Sequence, residues 1–207
     1  MKARTILITG LLFCTLTGAC GNSNENSAAQ ENTQIPVEVA STTSQTEGET
    51  WYHDWDTGMA AAQEEQKPIL VHFTADWCKY CIKMKKETYA ADEIKKRFSN
   101  GWVTIMIDTE EKDKTGKVYF DEAAKKAMVY LNGDQGNFEE KVLGHQELLQ
   151  FFGGMGLPTL LFVDKDGTPL QKISSFIEKE EFAVILDFFR EEAYKTSSFD
   201  DFKKNRG

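Results

Sequence analysis

The stretch Ala75-Asp76-Trp77-Cys78-Lys79-Tyr80-Cys81 constrains this chain more than any other. Two thiols three residues apart, directly after an apolar run and at the start of a helical pattern, read as a redox pair. The run before them, Pro68-Ile69-Leu70-Val71-His72-Phe73, has the length and composition of a buried strand. The residues after them, Ile82 to Lys86, are helix formers without Gly or Pro. Strand, short turn, then helix places Cys78 at or near a helix N-terminus, with Cys81 one turn further on the same face. Free backbone N–H groups and the positive end of the helix dipole favour a thiolate there, and Lys79 adds a cation. The expectation is a Cys78 pKa below that of a free cysteine, as a disulfide-exchange nucleophile requires.

Taken with Lys67 to Phe73, this motif resembles a thioredoxin-fold active site. Its Ala-Asp-Trp-Cys form is similar to the periplasmic thioredoxin-like domain of the transmembrane disulfide reductase and to related secreted thioredoxin-like proteins. A second match, Gly156-Leu157-Pro158-Thr159, lies about eighty residues downstream. The resemblance runs from roughly Trp51 to Tyr194, with an unmatched insertion in the middle. It implies an α/β thioredoxin fold, a central mixed β-sheet flanked by helices, with the insertion between the second core strand region and a cis-proline. It further implies that Pro158 is cis and faces the cysteines, that the backbone of Leu157 pairs with a substrate peptide, and that Trp77 and Tyr80 shape the rim. Cys78 would be the attacking and Cys81 the resolving sulfur, with no cofactor beyond the Cys78–Cys81 disulfide itself. Lys79 would tune the potential.

His72 departs from the family pattern, in which many members hold a buried acid at this place on the strand. A neutral imidazole can serve as a base for the resolving cysteine; a protonated one would stabilise a thiolate instead. A hydrogen-bonded core histidine is the plainer alternative. Asp76 either takes over part of the acid's role or is a surface residue.

Outside the motif, the first nineteen residues form a signal peptide. Lys2 and Arg4 are its basic region, Thr5 to Leu16 its apolar stretch, and small residues precede Cys20. The junction resembles a bacterial lipobox, which makes Cys20 the residue to carry lipid, although Thr17 stands where such a box usually has Leu. Ordinary cleavage near Ala19 is the alternative. Cys14 would be lost with the signal, so Cys78 and Cys81 are left as the only pair, without a structural bridge. Residues 20–50 are rich in Asn, Ser, Gln, Thr and Glu and read as a disordered tether. A domain follows over 51–194. Its expected elements are a helix capped by Asp56 or Thr57, a helix from an Asp92 cap, a strand from Trp102 to Asp108, a helix from Gln146 to Phe152, a hairpin at Asp164-Lys165-Asp166-Gly167, and a last helix from Lys179 to Tyr194. In the insertion, 109–144, Phe120, Ala124, Ala127, Met128 and Leu131 share a face at helical spacing. Its opening charge run, Glu110 to Lys114, reads as solvated surface. Residues 195–207 are polar and are expected to fray.

At 207 residues and 41% hydrophobic, the chain has enough apolar surface for a substantial core. Its net charge is −9, and −11 once Lys2 and Arg4 are left out, which argues against nucleic acid as a partner. His53, His72 and His145 have no metal-ligand spacing, and no phosphate-binding glycine loop is present. Three readings remain. The first is an exported, lipid-anchored thiol–disulfide oxidoreductase of the periplasm or cell envelope, acting on the reducing side on protein disulfides and dithiols and fed by a membrane redox partner. The second is an oxidase or isomerase on the same fold. The third is a non-catalytic binder whose two thiolates hold Cu(I) or Zn(II).

Overall fold

The computed structural model describes residues 51–133 and 136–206. The expected signal peptide, the lipid site at Cys20 and the tether over 20–50 lie outside the described residues. At the centre is the strand β2 (Ile69–Thr74), buried at every position. It pairs in parallel with β3 (Val103–Asp108) on one side and antiparallel with β7 (Thr159–Val163) on the other. The short β1 (Trp51–Tyr52) extends the sheet beyond β3, and β8 (Pro169–Ile173) pairs antiparallel with β7. The order is β1-β3-β2-β7-β8, a mixed sheet.

Helices cover both faces, which is why the central strands read as unbroken apolar runs rather than alternating ones. On one face Ile69, Val71 and Phe73 pack with Ile105, Leu161, Trp55 and Met59 under α1 (Trp55–Glu65). On the other, Leu70, Leu160 and Phe162 meet Met84, Ile94, Phe98, Phe182 and Leu186. This second layer is built from α2 (Lys79–Lys83), a π-helical turn (Met84–Tyr89), α3 (Asp92–Gly101) and α5 (Lys179–Arg190). No helix among the described residues is long and apolar enough to cross a membrane.

Several boundaries move. The cap of α1 is Asp54, not Asp56 or Thr57: its carboxylate accepts from both the backbone N–H and the hydroxyl of Thr57. Helix α3 starts at Asp92 without a side-chain cap. The expected helical face in the insertion is absent. Residues 115–144 instead form β4 (Thr115–Asp121), β5 (Lys126–Met128) and β6 (Glu139–Gly144), a second antiparallel sheet in the order β5-β4-β6. Phe120 and Ala127 share a face because they are cross-strand partners. Between them the Asp121 carboxylate accepts from the Ala124 N–H and Lys125 adopts a left-handed φ of 51°, closing a turn. A helix α4 (His145–Phe151) leads back to the main sheet. The tail is not frayed either: a 3-10 turn (Ala193–Lys195) and α6 (Phe199–Lys204) fold back on α5.

Candidate active site

The chain leaves β2 at Thr74, turns through Ala75 to Trp77, and enters α2 with Cys78 as its cap residue. Cys78 and Cys81 are joined by a disulfide. The Cys78 sulfur accepts the backbone N–H of Cys81 at 3.1 Å, so the first turn of α2 aims a donor at it. A hydrogen bond of this kind stabilises sulfur more when it carries negative charge. Cys78 is 3% exposed and Cys81 fully buried, so an incoming group reaches the Cys78 sulfur first.

The antiparallel register of β2 and β7 pairs Phe73 with Thr159. The residues just before β7 therefore leave the sheet at the edge from which the chain runs on to Cys78. Those residues are Leu157 and Pro158, joined by a cis peptide bond. The Thr159 hydroxyl ties this corner down, 2.6 Å from the Gly156 carbonyl and 2.8 Å from the Ser174 hydroxyl.

The rim is apolar. Trp77 is 66% and Tyr80 62% exposed. Trp77 and Leu157 line a common pocket with Met155. Tyr80 leans the other way, its ring 6.3 Å from that of Phe176, and the Lys83 ammonium sits 4.2 Å over the Phe176 ring. Asp76 and Lys79 are exposed on either side of the first thiol.

His72 lies on the α2 face of β2, fully buried against Tyr89 and Trp51. Neither ring nitrogen has a hydrogen-bond partner, so the expected hydrogen-bonded core histidine is not what the fold contains. Burial, with a smaller push from the Lys85 charge, lowers its pKa to about 3. Burial thus favours the neutral imidazole, and the same low basicity makes it a poor acceptor for a thiol proton. Tyr89 reaches His72 from the π-helical turn that follows α2. Such turns recur at functional sites.

Sequence reasoning passed over three residues of this face. Met155, set among glycines just before the proline, is 97% exposed. Phe176 lies beyond β8, in the connection to α5. Glu110 was absorbed into a charge run, although it lines the pocket beside Trp77. A large apolar residue isolated among glycines three places before the proline was the one available signal.

A family model described as a thioredoxin-like domain matches residues 55–190. Among curated proteins, the thiol:disulfide interchange protein DsbD of Yersinia pestis (strain Pestoides F) is 25% identical over 123 residues, covering 58% of this chain and 16% of its own length. Spermatogenesis-associated protein 20 of Rattus norvegicus is 27% identical over 108 residues, covering 52% of this chain and 13% of the relative. The chain thus spans about one sixth or less of the length of these relatives. Among solved structures, a thioredoxin-fold protein from Helicobacter pylori superposes with a TM-score of 0.51 at 19% identity, over 68% of this chain and 80% of that one. The matched span contains β2, β3, β7 and β8 of the mixed sheet, the Cys78–Cys81 pair and the cis-proline. The chain belongs to the thioredoxin-like domain family.

Proposed function

We propose that this protein is an exported thiol–disulfide oxidoreductase that reduces disulfides in other proteins through Cys78 and Cys81, held at a membrane by lipid on Cys20. The observation that carries the reading is the Cys78–Cys81 disulfide at the head of α2, its first sulfur capped by the Cys81 N–H. The reduced pair starts the reaction. The Cys78 thiolate attacks one sulfur of a partner disulfide, and the partner's other sulfur leaves as a thiolate and takes up a proton. Cys81 then gives up its proton and attacks the Cys78 sulfur, which expels the partner's second thiolate. The partner ends with two thiols and this protein with the disulfide, which a dithiol donor at the membrane must reduce for the next round. By the family resemblance, the backbone of Leu157 offers strand-like pairing to the partner segment.

Export and lipidation rest on the basic, apolar and small-residue pattern before Cys20. The reducing direction rests on the resemblance of Ala75 to Cys78 to the reductase domain. The test is a Cys81→Ala chain expressed in its native compartment. It should accumulate reductant-sensitive mixed disulfides that vanish when Cys78 is also replaced. Absence of such adducts, together with ordinary alkylation kinetics for Cys78 at neutral pH, would remove the exchange reading. A reduction potential near about −270 mV supports the reducing direction, whereas one near about −120 mV makes the protein an oxidant. Loss of membrane association in Cys20→Ala checks the anchor.

A further inference from the structure

The two sides of the cysteine pair are not alike. Toward Tyr80 lie Phe176 and the Lys83 ammonium above its ring, and Lys83 already faces Glu87 at 3.5 Å and Glu178 at 3.8 Å. Toward Trp77 the surface opens into a cavity of about 330 Å³. Trp77, Leu149, Met155 and Leu157 form the apolar part of its lining, and Gln146 and Gln150 a neutral polar part. Among the described residues Glu110 is the only charged one lining it. Among the described residues no lysine or arginine pairs with Glu110, whose backbone N–H is held at 2.9 Å by the Asp108 carboxylate, fixing the turn that carries it. Trp77 adjoins Cys78 and Leu157 adjoins the cis-proline, so a side chain close to the partner's cysteine reaches this cavity.

A cavity with an apolar side, neutral amides and one carboxylate suits a long side chain with a positive end. The methylene stem of lysine or arginine covers apolar surface while its charged end stays at the rim. A purely apolar side chain would desolvate Glu110 without compensation, and an acidic one would be repelled. We propose that this cavity is a specificity subsite for a lysine or arginine flanking the partner's cysteine, with Glu110 as the residue that reads the charge. The subsite rests on the exchange activity proposed above and narrows its substrates to extended segments with a basic residue beside the disulfide.

The experiment uses the reduced full chain and synthetic peptides whose single cysteine is disulfide-bonded to glutathione. Arg, Gln or Glu is placed in turn at each of the two positions on either side of the cysteine. Turnover oxidises the Cys78–Cys81 dithiol and yields peptide thiol and glutathione, which chromatography resolves. Hydroxyethyl disulfide, which is small and uncharged, reports whether the wild-type pair exchanges at all. At one flanking position the Arg peptide should exceed the Glu peptide in kcat/KM by about fivefold or more, the scale of an exposed ion pair. Glu110→Gln should bring that ratio close to one, and Glu110→Lys should reverse it. Met155→Ser should slow the Arg and Gln peptides alike, because both stems lose the same wall. A ratio unchanged by Glu110→Lys, or no preference at any position in a protein that reduces hydroxyethyl disulfide, overturns the subsite and leaves the exchange reading standing. Failure to reduce even hydroxyethyl disulfide overturns both.

Discussion

His72 enters the core with two polar atoms and no hydrogen bond to offset their burial. A group in that position costs stability, on the order of 1–3 kcal/mol by the usual penalty for an unmade buried hydrogen bond. Its effect also depends on pH, with a definite sign. An unfolded histidine titrates near about 6.5, whereas folded His72 titrates at about 3. Between those values the unfolded chain binds a proton that the folded chain refuses. The folded state therefore keeps its full advantage above the unfolded pKa and loses it as pH falls toward the folded one, at up to about 1.4 kcal/mol per pH unit. In His72→Leu this loss should disappear. Urea unfolding of both proteins between pH 6.5 and 4.5 should show the wild type losing about 2 kcal/mol more than the variant. Parallel curves would mean that the imidazole is not shielded as the fold implies. Proton transfer separates from stability in the same variant. With basicity this low the ring takes no thiol proton, so the pH profile of peptide reduction should stay put in His72→Leu; a shift would show that the imidazole accepts the Cys81 proton.

At the level of elements, the second sheet is where local pattern and tertiary contact disagree. Strand β4 is pinned to α1 by three contacts. The Trp55 ring covers Gly116, the Trp55 indole N–H donates to the Lys117 carbonyl at 2.8 Å, and the Lys117 N–H donates to the Asp56 carboxylate at 3.0 Å. A Cβ at position 116 would overlap the Trp55 ring. Gly116→Val must push β4 off α1 and break the indole hydrogen bond, at a cost of about 3 kcal/mol. The urea midpoint should drop accordingly and the near-ultraviolet tryptophan signal should change; an unaltered midpoint would show that β4 is not anchored there. None of this was legible in the insertion itself. Phe120, Ala124, Ala127 and Met128 fit a helical face, and a hairpin with its turn at residues 121–125 satisfies much of the same spacing. Trp55, some sixty residues earlier, decides between the two. By contrast, β2, β3 and β7 were readable because burial on both faces writes itself into every residue. The cysteine turn was readable because its spacing is local. Met155, Phe176 and Glu110 were not, because their parts depend on which surface neighbours the fold brings to them.

At the scale of the whole molecule, the C-terminal residues decide how firmly the second helical layer is held. Composition pointed to fraying after residue 194, yet the few apolar side chains there are spaced to grip. Phe199 and Phe202 of α6 stand edge-on to Phe188 of α5, with ring centroids 5.4 and 5.3 Å away. Beyond them Arg206 closes on Asp187, a carboxylate only 6% exposed that also receives both Nε and Nη2 of Arg97 from α3. One buried acid thus fastens α3, α5 and the chain end, and its cost of burial is offset only while the arginines are present. The layer it fastens is the one that carries the reactive pair, since Phe182 of α5 packs on Tyr89 and Phe189 stacks on Phe162. A chain ending at Ser197 loses two phenylalanines and one of the two arginines. The expected penalty is about 3 kcal/mol, and the melting temperature should fall by roughly 10 °C. The internal contacts of α5 remain, so the shortened protein should still fold and still reduce hydroxyethyl disulfide at 25 °C. Asp187→Asn keeps the shape, removes the charge and should cost a comparable fraction, because Arg97 and Arg206 then converge on a neutral amide. If truncation left the melting temperature where it was, α6 would be a passenger, and α5 would be held by the sheet alone.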